Sequence, residues 1–105
     1  MLIVEDNAFI LKTVQEQMKV IGVDFESSTN GEEAIQKVEE YLIQGKLFDI
    51  ILMDLCMPII DGYEASLEIR KLEKKYNVIE QNSHFICGFS AYHKGLGKCN
   101  FHYNL

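Results

Sequence analysis

The chain has a single proline, Pro58, and no Lys-Pro pair anywhere in its 105 residues. It has no apolar run near the eighteen or so residues that a membrane helix needs, and no basic-then-apolar N-terminus of the secretory kind. Bases are also scarce: ten against sixteen acids, for a formal charge of −6. That balance argues against a sequence-independent nucleic-acid binder, which needs a basic face for phosphates. The three cysteines, Cys56, Cys87 and Cys99, are odd in number and widely spaced. They read as reduced thiols in a cytoplasmic protein rather than a disulfide framework. What remains is a chain nearly half apolar, long enough for one core and too short for two ordinary domains.

The apolar residues fall into short runs separated by amphipathic stretches. Leu2-Ile3-Val4 stops at Glu5, Asp6 and Asn7. Ile50 to Met53 stops at Asp54 and is followed by the turn signals Pro58 and Asp61-Gly62. These two runs read as strands buried on both faces. Phe85 to Phe89 is a third, ending at Ser90-Ala91, and Val23 to Ser27 alternates like an edge strand with one wet face. Between them, Ile10, Val14 and Met18 share one helical face behind a cap at Asn7 or Asp6, and Gly22 closes that helix. Asn30 caps a second helix with Glu32 and Glu33 in its first turn, and Ala65, Ile69, Leu72 and Tyr76 keep helical spacing in a third. Strand and helix in alternation predict a parallel α/β sheet with right-handed crossovers.

Two neighbouring strands that end in acids bring Glu5, Asp6 and Asp54 to one edge of that sheet, where open α/β sheets place their ligands. Three bare carboxylates at close range repel one another, and a hard divalent cation removes the objection. Mg2+ is the expected ion, with the backbone carbonyl of Cys56 as a further ligand. A carboxylate at the mouth of such a site can attack phosphorus and form an acyl phosphate, and Asp54 is the candidate nucleophile. The hydroxyl of Ser90, at the end of the next strand, is placed to donate to the transferred group. Asp61 reads as a turn and cap residue. His93, Cys99 and His102 are poorly spaced for structural zinc.

Leu-Ile-Val-Glu-Asp-Asn at 2–7, Ile-Ile-Leu-Met-Asp-Leu-Cys-Met-Pro at 50–58 with Asp61-Gly62, and Phe-Ser-Ala at 89–91 together resemble the receiver domain of two-component response regulators and hybrid histidine kinases. The resemblance covers residues 1–92 as one receiver-like domain and leaves 93–105 as an atypical tail. It implies a flavodoxin-like doubly wound parallel sheet in the order 2-1-3-4, with the fifth strand and last helix missing or incomplete. It further implies a phosphoacceptor, not an enzyme in its own right, that takes a phosphoryl group on Asp54 from a histidine kinase or histidine phosphotransfer protein. Glu5, Asp6, Asp54 and the Cys56 carbonyl match the family's metal ligands, and Ser90 its switch hydroxyl.

The family also carries a lysine, usually followed by proline, at the end of its fifth strand. Only fifteen residues follow Ser90 in the chain of 105, too few for a crossover helix, a strand and a closing helix. Lys94 and Lys98 match neither the spacing nor the strand-end setting. The expectation is therefore an open edge on the fourth strand that invites self-association, and a bare sheet face where a closing helix belongs. Two other readings stand beside the phosphoacceptor: a pseudo-receiver that binds without phosphate chemistry, and a truncated fragment of a hybrid histidine kinase. An aspartyl-phosphate hydrolase fits less well, because Cys56 occupies the position where such enzymes place a second acid.

Overall fold

The computed structural model describes residues 1–79, 82–90 and 100–104, with the backbone alone at Ser90 and 100–104. The elements, in chain order, are β1 (Leu2–Val4), α1 (Ala8–Ile21), β2 (Glu26–Ser28), α2 (Gly31–Ile43), β3 (Ile50–Asp54), α3 (Gly62–Lys75), β4 (Phe85–Ser90) and β5 (Asn100–Asn104). They form one sheet in the order β2-β1-β3-β4-β5. The first four strands are parallel, in the expected order 2-1-3-4.

Each helix begins on a side chain that satisfies the free N–H groups of its first turn. The Asn7 Oδ1 accepts from Phe9 and Ile10 at 3.0 and 3.1 Å, Asn30 from Glu33 at 2.8 Å, and Asp61 from Glu64 at 2.9 Å. Gly22 stops α1 in the left-handed conformation, at φ 78°, and its N–H donates to the last-turn carbonyls of Met18 and Lys19.

The chain crosses from β1 outward to β2 and then back over β1 to β3. Right-handed crossovers therefore put α1 on one face and α2 on the other. The main core lies on the α2 and α3 side, where Leu2, Val4, Ile51, Met53 and Ile86 meet Ala34, Val38, Leu42, Ala65 and Ile69. Tyr41 stacks on Phe48 with ring centroids 4.0 Å apart, and its hydroxyl donates to Glu26. Lys37 donates to the Ser27 carbonyl, so α2 is tied to the edge strand by two side chains.

Three expectations need correction. The second strand is Glu26–Ser28 rather than residues 23–27, because β1 begins at Leu2 and its ladder partner there is Glu26. Asp24 lies before the strand, its carbonyl accepting from the Met1 amino group at 3.3 Å. The strand carrying Asp54 is covered fully on one face only. Ile51 and Met53 are buried, while Ile50 is 37% exposed and Leu52 half-buried, and Phe85 beside Ile50 is 46% exposed. No helix follows β4 among the described residues to cover that face.

The third correction concerns the β4 edge. It is not open, because β5 pairs with it antiparallel, Ser90 against Asn100 and Cys87 against Asn104. An antiparallel return needs a hairpin connection rather than a crossover helix, which is how fifteen residues after Ser90 suffice for another strand.

Candidate functional site

β1 and β3 are hydrogen-bonded neighbours in parallel register, with Val4 opposite Met53. The next residue on each strand is therefore an acid, and Glu5 and Asp54 meet at the carboxyl edge. Asp6 follows Glu5 on the exposed side. One carboxylate oxygen from each of Glu5, Asp6 and Asp54 lies within 4.8 Å of the others. Glu5 is 1% exposed and Asp54 is 4% exposed, so two of the three charges are held almost out of water.

The backbone orients these side chains. The Asn7 N–H donates to Glu5 Oε1 at 3.0 Å, and the Cys56 N–H donates to Asp54 Oδ1 at 3.0 Å. Glu5 Oε2 has no hydrogen-bond partner among the described residues although it is buried. An orphaned buried carboxylate oxygen beside two further acids is a donor set suited to a hard cation. Burial, opposed by the Asn7 bond and reinforced by Asp54 and Asp6, pushes Glu5 up to about 8. Burial likewise raises Asp54, against the lowering effect of the Cys56 N–H. In the absence of a cation the pair therefore keeps a proton that ordinary carboxylates lose well below neutrality.

The loop after Asp54 is built tightly against the site. The Leu55 N–H donates to the Phe89 carbonyl of β4 at 2.8 Å, locking the strand ends side by side. The sequence signalled the Asp61-Gly62 turn but not its packing: a Cβ at Gly62 would stand 2.4 Å from the Asp54 carbonyl oxygen, so only glycine fits this close to β3. Ile59, between Pro58 and the α3 cap, sits at φ 69° with 92% of its surface exposed. A β-branched residue in the left-handed region is strained by about 1–2 kcal/mol. Ile59→Asn is therefore expected to raise stability by about 1 kcal/mol in a denaturant titration. An unchanged or lower midpoint would show that the loop relaxes without cost.

The structure thus brings Glu5, Asp6 and Asp54 together, and Asp61 serves as the α3 cap. Cys56 is exposed and adjoins the cluster through its N–H. Ser90 ends β4 one residue beyond Phe89, which is paired with Asp54, and its backbone alone is described. His93, Lys94, Lys98 and Cys99 lie outside the described residues, as do the side-chain contacts of His102.

A doubly wound parallel sheet whose switch-point edge carries three converging acids defines an acid-pocket module of the flavodoxin-like class. The family model of the response regulator receiver domain matches residues 1–84. The chain belongs to the response regulator receiver domain family. It is 44% identical over 86 residues to the histidine kinase CKI1 of Arabidopsis thaliana, a match covering 73% of this chain and 8% of that protein. The chain thus spans about a twelfth of the length of that relative. A crystal structure of the CKI1 receiver domain, complexed with Mg2+ and BeF3−, superposes with a TM-score of 0.79 at 39% identity, covering 90% of this chain and 67% of that one. The receiver domain of Ssk1 from Saccharomyces cerevisiae, co-crystallised with the histidine phosphotransfer protein Ypd1, gives 0.66 at 26% identity, covering 83% and 59%.

Proposed function

We propose that this receiver domain accepts a phosphoryl group on Asp54 from a phosphohistidine donor, with Mg2+ held by Glu5, Asp6, Asp54 and the backbone carbonyl of Cys56. The observation that carries this reading is the convergence of three carboxylates within 4.8 Å at the end of β3, one of them with a buried oxygen that has no hydrogen-bond partner among the described residues. The donor set is all oxygen and anionic, which suits magnesium. When bound, the ion neutralises charge on the phosphoryl oxygens and on the crowded acids.

Asp54 then supplies the attacking oxygen. Its Oδ1 is fixed by the Cys56 N–H, which leaves the second oxygen for phosphorus. The donor P–N bond breaks as the new P–O bond forms; the donor ring, protonated on its other nitrogen, keeps the P–N electron pair and leaves as neutral imidazole, giving an acyl phosphate on Asp54. The Ser90 hydroxyl is the assigned donor to the transferred group, on the strength of its place at the end of β4. Two exposed apolar residues stand at this same sheet edge, Phe9 at 80% and Ile59 at 92% exposure, and they suit a protein donor that must seat its phosphohistidine over Asp54.

The test is phosphotransfer from a histidine phosphotransfer protein labelled on its histidine. Label should pass to this chain in the presence of magnesium and stay on the donor when a chelator is added. A folded chain that never takes label would favour the second reading, a pseudo-receiver that binds without chemistry. One observation favours that alternative: β5 runs antiparallel, so its carboxyl end, where the family carries its lysine, lies at the sheet edge opposite Asp54.

The metal assignment carries its own prediction. Glu5→Gln removes a buried carboxyl that must either hold a proton or carry a charge, while keeping the acceptor for the Asn7 N–H. Stability in chelator should rise by about 1–2 kcal/mol while magnesium affinity falls at least tenfold. Titration followed by nuclear magnetic resonance reads the affinity, and urea melts read the stability. Unchanged affinity would remove Glu5 from the ligand set.

A further inference from the structure

At the sheet edge away from the carboxylates, a second cluster of titratable groups is buried that the phosphoryl chemistry does not use. His84 immediately precedes β4 and is 1% exposed; Glu73, in the last turn of α3, is 4% exposed. The Glu73 Oε2 accepts from the His84 backbone N–H at 2.6 Å and lies 2.8 Å from its Nδ1. Arg70, one turn earlier on α3, donates to both Glu73 oxygens at 2.9 and 3.2 Å and to the His84 carbonyl at 2.8 Å. Two side chains of one helix thus hold the N–H, the C=O and the ring of a single residue.

That arrangement fixes the protonation of the ring. A carboxylate acceptor at Nδ1 requires that nitrogen to carry the proton, so the neutral ring has a bare Nε2. Nε2 is buried and has no partner among the described residues. Phe48, from the segment before β3, presents its ring to His84 with centroids 6.4 Å apart and offers no charge. Among the described residues, the charged groups acting on His84 are Glu73 and Arg70, both from α3.

We propose that Arg70, Glu73 and His84 form a proton-sensitive clamp between the end of α3 and the start of β4, closed while His84 is neutral and loosened when its ring takes a second proton. The second proton has to go to Nε2, where no acceptor waits and burial penalises a charge. Attraction to Glu73 does not make up the difference, because Arg70 already neutralises that carboxylate and a charged ring would leave the buried trio with a net positive charge. The shifts agree in sign. Burial lowers His84 below its ordinary value, against the pull of Glu73. Burial alone would raise Glu73, but Arg70 and the His84 donors hold it below the ordinary carboxylate value. A histidine that is harder to protonate folded than unfolded contributes stability that is complete above about 6.5 and is lost as pH falls below that value.

The experiment compares unfolding equilibria of the wild-type chain and of His84→Gln between pH 7.5 and 5, both in chelator. Glu5, Asp54 and all other common groups cancel in the difference. Gln offers an N–H to Glu73 but cannot titrate. The wild-type unfolding constant should rise on acidification by about tenfold more than that of the variant. The His84 ring should also show the Nδ1–H tautomer at neutral pH and titrate below the ordinary histidine value. Should Gln disturb folding, that ring titration in the wild-type chain decides alone. Equal pH dependence in the two proteins, or a His84 that titrates at or above the ordinary value, would overturn the clamp.

Discussion

Gly62→Ala is expected to destabilise the domain by about 3 kcal/mol or more. A Cβ at position 62 would stand 2.4 Å from the Asp54 carbonyl oxygen, 2.8 Å from the Leu55 Cα and 3.0 Å from the Asp54 carbonyl carbon. All three are backbone atoms of β3 and the residue after it, so no side-chain rotation relieves the clash. Relief requires α3 to withdraw from the sheet, which exposes Ala65 and Ile69 behind it. Gly22→Ala is the informative control. Gly22 has nothing within 4 Å of a Cβ and pays only for its left-handed φ of 78°, so its cost should be about 1 kcal/mol. Denaturant titration of the two variants separates a steric requirement from a conformational one. Similar losses in both would mean that the approach of α3 to the Asp54 carbonyl is not what demands glycine.

Asp54→Asn should abolish phosphoryl uptake, by at least a hundredfold, while stabilising the metal-free fold by about 1–2 kcal/mol. Both effects follow from the same geometry. The amide oxygen keeps the acceptor for the Cys56 N–H at 3.0 Å, so the β3–α3 loop stays in place, but an amide does not attack phosphorus at a useful rate. The stabilising effect follows from the raised carboxyls. Glu5 moves from an ordinary 4.5 to about 8 on folding, and Asp54 also moves upward. Groups that bind a proton more tightly when folded contribute most below their unfolded values and lose that contribution as pH rises through the folded ones. The metal-free wild-type domain should therefore weaken as pH climbs from about 4.5 toward 8, and Asp54→Asn should flatten that decline. Urea melts in chelator at several pH values read the slope. A variant less stable than the wild type at pH 8, or one that still takes up phosphate, would contradict the assignment of Asp54.

Much of this site is written in the order of residues. Two apolar runs that end in acids place Glu5, Asp6 and Asp54 on adjacent parallel strands, because buried parallel strands need such runs and their carboxyl ends share an edge. Asn7, Asn30 and Asp61 announce the helix starts because short polar side chains satisfy free N–H groups there. Local signals of this kind survive in any tertiary setting. The features that were not legible depend on partners distant in sequence. The extent of β2 is set by where β1 begins, since a ladder needs both strands. The direction of β5 depends on its pairing with β4, and the Gly-rich tail gives no periodicity from which to read it. The uneven cover of β3 follows from which helices pack on each face, and a run such as Ile50 to Met53 looks the same whether one face or both are covered. The clamp at His84 joins residues eleven positions apart across a loop, and only a surplus of buried polar groups at one place would have hinted at it.

The central claim is that Asp54 is a working phosphoacceptor within a magnesium-dependent acid pocket. Its most direct test is to incubate the wild-type chain with a small acyl-phosphate donor, with magnesium or with chelator, and to map the product by mass spectrometry. The account predicts one acid-stable, base-labile phosphoryl increment, confined to the peptide containing Asp54 and absent in chelator. A folded chain with no increment in magnesium, or an increment that persists in Asp54→Asn, would contradict it.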